Sequence, residues 1–435
     1  MLNVRSLVHA LVVCGLLLPS RSSHAVDIAY RSFTASATMG PQAEAFAAKL
    51  SSLSSVVLGA ANRVRFAPLP GTPAVPPVFG GDVLAAVGAG AAAGGFDAAY
   101  ISGTDLNKTW GFIFNSGVPF GPDFDEFLGF LYGKIINHKS TGVELAQWML
   151  DAHNRNVVAL PIVASSEQLS GYFPLPIGDN EWHHRGIGLA GLCQQRWTLR
   201  YLPPAEYVLG KACDNLVAAH EIAAKNLRFI AAVPGGGSLV AAVKSGQLQG
   251  FEFATPLDDV SQLWSGTDNP GTVGVRFVHT PGWQQQFLIT WMVVNKAVWN
   301  GLSPAQQALA ASVARDHLLS SYAESMQQQG DALTYILSSN HGDGHRSDMV
   351  LSEWPERDQE RLSLATNQVL NERTLDSSLP SEDRQDLATL LELLRVYVRS
   401  NNHYWTVRGV HPQMRFERWK GPTGQPWIDK RPCDR

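Results

Sequence analysis

The sequence predicts an α/β protein of two lobes bridged by long C-terminal helices. Three observations carry this. Short apolar runs of strand length alternate with segments of helical period. Pro- and Gly-rich stretches punctuate them. After residue 300 the strands give way to long helical stretches.

Asp27 to Phe33 reads as a first strand. Gln42 to Leu53 follows as a helix, with Ala43, Phe46, Ala47 and Leu50 on one face and Pro41 near its start. Arg63 to Pro68 reads as a second strand. Residues 68–81, rich in Pro and Gly, read as loop. Asp82 to Ala93 returns to helix and Phe96 to Ile101 to a short strand. Asp123 to Ile136 and Gly142 to Asn154 read as helices, and Val157 to Ile162 as a buried strand. Further on, Gly237 to Ser245 reads as a short helix and Leu248 to Phe253 as a strand. Val273 to His279 and Phe287 to Asn295 are strand candidates. Pro304 to Leu337 is one long helical region; 356–372 and 381–405 add two more helices. Residues 406–435, rich in Pro, Trp and Arg, read as an irregular tail.

The 435 residues carry 34 basic and 38 acidic side chains, a net charge of −4, which excludes a dedicated nucleic-acid binder with a basic face. A hydrophobic share of 45% against 17% charged residues excludes a natively disordered chain. Residues 1–25 have the parts of a secretory signal peptide: Arg5, the apolar run Leu7 to Leu18, a break at Pro19, and the small-x-small site Ser23-His24-Ala25. Val13 precedes Cys14, so no lipid anchor is predicted. Export places the mature chain in an oxidising compartment, where Cys193 and Cys213 are the candidate disulfide and Cys433 is left over.

Three patterns concentrate polar chemistry at strand ends. The strand from Asn156 runs into Ser165-Ser-Glu-Gln168-Leu-Ser-Gly-Tyr172-Phe173. Residues just past a strand end face the crevice of an open sheet, so Gln168 can present its amide there. A surface turn with Tyr172 and Phe173 in the core is the competing reading. Arg200, before Tyr201-Leu-Pro-Pro, can fork onto a carboxylate, a geometry only guanidinium provides. Glu252 interrupts the apolar strand end Gly250-Phe-Glu-Phe-Ala-Thr-Pro256-Leu-Asp-Asp259, and a carboxylate there needs a cation or a donor. A structural ion pair is the alternative for each charge. The histidine clusters His183-His184 and His341-Gly-Asp-Gly-His345 lack zinc-site spacing. No nucleophile elbow or P-loop is present.

Taken in order, these patterns resemble the extracytoplasmic solute-binding subunits of TRAP (tripartite ATP-independent periplasmic) transporters, especially the branch that binds 2-oxo acids and lactate. The resemblance spans about residues 27–405. It is carried by Asp82-Val-Leu-Ala-Ala-Val with Phe96-Asp-Ala-Ala, Gly117-Val-Pro-Phe-Gly121, Gln168-Leu-Ser-Gly-Tyr-Phe173, Arg200 with Val208-Leu-Gly-Lys211, and Gly250 to Asp259. Pro281-Gly-Trp283 and Val294-Asn295-Lys296 through Pro304 complete it.

The resemblance implies a two-lobed periplasmic-binding-protein-like fold. Residues 26–154 and 256–285 would form lobe I. Residues 155–255 and 286–405 would form lobe II with its bridging helices. It also implies a non-enzymatic periplasmic protein that captures a small organic carboxylate and delivers it to membrane permease subunits, with a homodimer as an allowed assembly. Arg200, Gln168, Phe253 and Tyr172 would bind substrate. Gln168, Glu252, Phe253 and Gln285 would hold a bridging Na⁺ or Ca²⁺, oxygen donors suited to a hard cation.

Several positions depart from the family pattern. Phe253 stands where Trp is usual, Ser170 and Tyr172 replace Gly and Trp, and extra sequence at 179–192 and 214–228 flanks Arg200. Arg228, in Asn226-Leu-Arg-Phe, is therefore a rival anchor. A sensor feeding a signalling receptor and an exported enzyme pairing Glu252 with a histidine are the alternative functions.

Overall fold

Two β-sheets organise the computed structural model. It describes residues 24–32, 40–69, 82–134, 140–173, 187–189, 219–222, 227–231, 240–241, 244–245, 250–252, 254–264, 270–338, 349–354, 359 and 370–407. Residues 1–23 of the expected signal peptide, all four cysteines, both histidine clusters, Arg200, Phe253 and the tail after residue 407 lie outside these residues.

The first sheet contains β1 (Val26–Ser32), β2 (Val64–Pro68), β3 (Ala98–Ser102), β4 (Val157–Ser165) and β11 (Leu288–Asn295), in the order β2-β1-β3-β11-β4. Strands β1, β2 and β3 run parallel; β11 is antiparallel to both β3 and β4. Both faces are covered, which is why these strands read as continuous apolar runs. On one face Ile28, Tyr100, Ile162 and Met292 pack with Phe46 and Leu50 of helix α1 (Gly40–Val57). On the other, Ile101, Ala159, Trp291 and Val293 pack with residues of α2 (Asp82–Ala89), α4 (Phe124–Tyr132) and α5 (Gly142–Ala152). The short helix α3 (Ile113–Ser116) lies in this same core.

The second sheet contains β5 (Gly171–Phe173), β6 (Ile187–Leu189), β7 (Ala219–Ile222), β8 (Leu227–Ala231), β9 (Gly250–Glu252), β10 (Phe277–Thr280) and β12 (Val350–Glu353). Their order is β12-β10-β5-β9-β6-β8-β7. Its core joins Tyr172, Phe251 and Val278 to Trp264 beyond helix α6 (Pro256–Gln262) and to Val273 of α7 (Pro270–Val273).

Helix α9 (Pro304–Leu337), preceded by α8 (Lys296–Gly301), spans both cores. At ~1.5 Å per residue its length is about 50 Å. Ser303 starts it with a capping box closed by Gln306, and Pro304 occupies its first turn. Ala310 and Val313 pack on the first sheet, whereas Ile336 belongs to the second core. Serine and glutamine at four-residue spacing line one face of the helix. Ser321 Oγ accepts from Ala164 N–H (3.0 Å), Ser325 Oγ from Ser166 N–H (3.2 Å) and Gln329 Oε1 from Leu257 N–H (2.7 Å). One helix thus satisfies backbone donors at the end of β4 and at the start of α6.

The expected fold class, α/β with two lobes, is what the strand pairing gives. The lobe boundaries differ from expectation. β4 and β11 lie in the first sheet and β10 in the second. Leu387, Leu391 and Leu394 of α10 (Ser381–Val407) pack in the first core, so of these two long helices α9 makes the bridge. The physical reason is burial on both faces: the runs from Val157 and Leu288 need a sheet interior, and in the first sheet their alternate residues pack into its two cores. The chain therefore crosses between sheets at residues 166–170 and 281–287.

Candidate functional site

Two crossings run side by side, and the expected polar residues sit on them. Gln168 lies between β4 and β5, and Gln285 between β10 and β11. Gln168 N–H donates to the Gln285 carbonyl at 3.3 Å, and both residues are buried. Further bonds lock the segments together: Ser170 N–H to the His279 carbonyl (2.8 Å) and Gln284 Nε2 to the Leu169 carbonyl (2.8 Å). The Ser170 hydroxyl also donates to the Pro281 carbonyl. Gly282 is required here, because a Cβ would come 1.9 Å from the Gln168 carbonyl oxygen. Phe120, from the Gly117–Gly121 turn of the first lobe, stacks on Trp283 at 5.1 Å and 12° and donates its N–H to the Trp283 carbonyl.

Glu252 ends β9 and is 1% exposed. Tyr172 pairs with Phe251, so the antiparallel register sets Glu252 level with Gly171, where the first crossing enters β5. Gly171 has φ 122°, and a Cβ there would sit 2.6 Å from the Phe251 carbonyl oxygen. The glycine lets the Gln168 segment run close against the Glu252 strand. Parallel pairing with β6 puts Glu252 opposite Leu189, which pairs with Ala231 of β8. Arg228 lies outside that row, opposite Glu221.

The structure therefore joins Gln168 to Gln285 directly and brings Glu252 to the same end of the second sheet. It gives Tyr172 a different place from the one expected. Tyr172 is fully buried, its ring 5.1 Å from Trp264 and 5.3 Å from Phe251, and its hydroxyl donates to Asp259 Oδ2 at 2.7 Å. With ring and hydroxyl both committed, Tyr172 is a core residue, as the competing reading of that segment had it.

Asp259 is the buried acid that sequence reasoning passed over. Asp258 and Asp259 follow Pro256 in the first turn of α6, where acids ordinarily serve the helix dipole. Asp258 does behave as a helix-start residue and pairs with Thr255. Asp259 turns inward, where its Oδ1 accepts the Ala254 N–H at 3.0 Å. Burial pushes the Asp259 carboxyl well above the usual carboxylate range. The Tyr172 hydrogen bond opposes this, and the Glu252 and Asp258 charges reinforce it.

This shift has a consequence for stability. The unfolded chain releases the proton near pH ~4, whereas the folded chain holds it. The stability linked to the protonated group is fully present below the unfolded value and is lost as pH rises through the folded one. Asp259→Asn removes that loss, so its melting temperature should gain on the parent chain as pH rises above the usual carboxylate range. Parallel pH profiles for the two would contradict the assignment.

The orphaned atom of the site is Gln168 Oε1. It is buried and has no hydrogen-bond partner among the described residues. An unpaired buried carbonyl oxygen is costly, and a cation or a ligand donor relieves it. Among the described residues, no group of three or more His, Cys, Asp or Glu could hold a metal ion. A donor set of amide oxygens plus the Glu252 carboxylate instead suits a hard cation that shares its coordination with a ligand.

A double-sheet α/β protein with two adjacent crossings and a bridging helix is the architecture of two-lobed binding proteins. No family model matches the chain, and no curated protein matches it. Solved structures do. A TRAP transporter solute-binding protein from Bordetella bronchiseptica RB50, with copurified calcium and picolinate, superposes with a TM-score of 0.58 at 13% identity, covering 89% of this chain and 96% of that one. A TRAP periplasmic solute-binding protein from Colwellia psychrerythraea, with bound calcium and pyruvate, gives 0.58 at 15% identity over 88% and 99%. One from Pseudoalteromonas atlantica T6c, with bound sodium and pyruvate, gives 0.56 at 13% identity over 88% and 99%. The chain has the fold of these solute-binding proteins.

Proposed function

We propose that this chain is a TRAP-type extracytoplasmic solute-binding protein. It captures a small 2-oxo or 2-hydroxy carboxylate between its lobes and delivers it to a membrane permease. The observation that carries the proposal is the buried Gln168 Oε1, without a hydrogen-bond partner among the described residues, on the crossing that enters β5 at Gly171, opposite Glu252. The fold likeness supports it, since similar structures hold calcium or sodium together with pyruvate or picolinate.

In this reading Gln168, Glu252 and the backbone near Phe253 hold Na⁺ or Ca²⁺, with Gln285 beside them. The cation supplies charge for the acid's carboxylate and its 2-oxygen, and Arg200 forks onto the carboxylate. Ligand binds both lobes only when they meet, so capture shifts the population toward the closed form. The signal peptide puts this in the periplasm; no described helix is long and apolar enough to cross a membrane. A dimer, as in the Bordetella bronchiseptica structure, is compatible with it.

Calorimetry with pyruvate, lactate and C4-dicarboxylates, with and without Na⁺ or Ca²⁺, tests the reading. Saturable heat that needs the cation is expected. No heat with any acid would reject it. Arg200→Lys should weaken binding about tenfold, because an ammonium cannot reproduce the fork, while Arg228→Ala should bind normally. The reverse pattern would move the anchor to Arg228.

A further inference from the structure

Asp259 touches both segments that carry the proposed ligands. Its Oδ2 receives the hydroxyl of Tyr172, four residues after Gln168; its Oδ1 receives the N–H of Ala254, two residues after Glu252. Its own backbone is fixed as well, N–H to the Thr255 carbonyl at 2.8 Å and carbonyl to Leu263 N–H at 2.8 Å. Phe251 and Trp264 pack against the Tyr172 ring and restrict where the hydroxyl can point. Among the described residues, both donors to the Asp259 carboxyl are neutral. A buried carboxyl with neutral donors only is an expensive way to fill core volume. What it provides is a two-oxygen clamp: one planar group sets the distance between two strands that enter the site from different directions.

We propose that Asp259 is a positioning residue for the cation site, holding the Gln168 segment and the Glu252 segment in register through Tyr172 and the Ala254 amide. The inference rests on the solute-binding reading above and adds a residue that does not itself touch ligand. Supporting residues of this kind typically set metal affinity by ~10–100-fold.

The test is calorimetry on the full mature chain with pyruvate, titrated at a series of Ca²⁺ concentrations. Asp259→Leu, which keeps the branched shape but has no hydrogen-bonding oxygen, should raise the Ca²⁺ concentration for half-maximal pyruvate binding about 10–100-fold. Asp259→Asn should stay within about threefold of the parent, because its amide offers an acceptor to Ala254 and a donor to the phenol oxygen. Tyr172→Phe, which breaks one arm only, should lose about tenfold, and it decides the question if Asp259→Leu does not fold. A merely structural role would lower the melting temperature without moving the Ca²⁺ dependence of the folded protein. Parent-like Ca²⁺ dependence in folded Asp259→Leu or in folded Tyr172→Phe overturns the inference. Glu252→Gln, run in parallel, separates the two readings. If it binds like the parent, or if the parent itself binds no pyruvate, the site reading fails and the inference with it. If Glu252→Gln loses binding while Asp259→Leu and Tyr172→Phe keep it, only the positioning role fails.

Discussion

Glu252→Gln should reduce cation-dependent capture of a 2-oxo acid by about a hundredfold or more. The two side chains have nearly the same shape, so the strand end and its packing are preserved. The change is one full negative charge at a position 1% exposed. Where water is excluded, a charge facing a cation is worth far more than on the surface, and removing one partner of such a pair costs about 2–5 kcal/mol. At ~1.4 kcal/mol per tenfold, a hundredfold loss corresponds to about 2.8 kcal/mol, within that range. The acid's own carboxylate would then meet a less neutralised site, so residual binding should no longer respond to Ca²⁺ or Na⁺. Binding at the parent's affinity, with cation dependence intact, would place the site elsewhere.

Trp291→Ala should destabilise the first lobe by about 4 kcal/mol, in the range found for large aromatic truncations in cores. Trp291 is fully buried near the middle of β11, between β3 and β4. Its indole N–H donates to the Phe114 carbonyl at 3.0 Å and its ring meets Phe114 edge-on at 5.9 Å. Truncation leaves a cavity and a buried carbonyl without that donor, and each term adds to the loss. Because β11 returns from the second lobe through the Gln285 crossing, binding should weaken as well. Phe114→Ala should be less than additive with it, since the two side chains share one contact. A urea midpoint close to the parent's would contradict the close-packed central sheet.

How far this was legible in the sequence varies by element. Helix α9 was readable to the residue, because Ser303-Pro304 is a strong start and no proline interrupts the helical residues before Leu337. Strand β11 was readable because burial on both faces makes it an apolar run. Its place between β3 and β4 was not: that pairing joins residues more than 100 positions apart, and no local pattern encodes it. Strands β5 to β8 are three to five residues long, too short for any period to show.

In the site, Gln168 was legible as a polar residue past a strand end, and Glu252 as a charge in an apolar run. Tyr172 and Asp259 were not, since what each does depends on the other across two elements. Letters alone cannot distinguish an acid at a helix start from one turned into the core. Arg200 and Phe253, outside the described residues, stay as expectations.

The most direct measurement is a crystal of the mature protein grown with Ca²⁺ and pyruvate, with the cation located by its anomalous scattering. The account predicts a Ca²⁺ peak at about 2.3–2.6 Å from both the Glu252 carboxylate and Gln168 Oε1, with the pyruvate carboxylate turned toward Arg200. A pyruvate bound at another place, or a Gln168 Oε1 paired to protein with no cation beside it, would contradict the account.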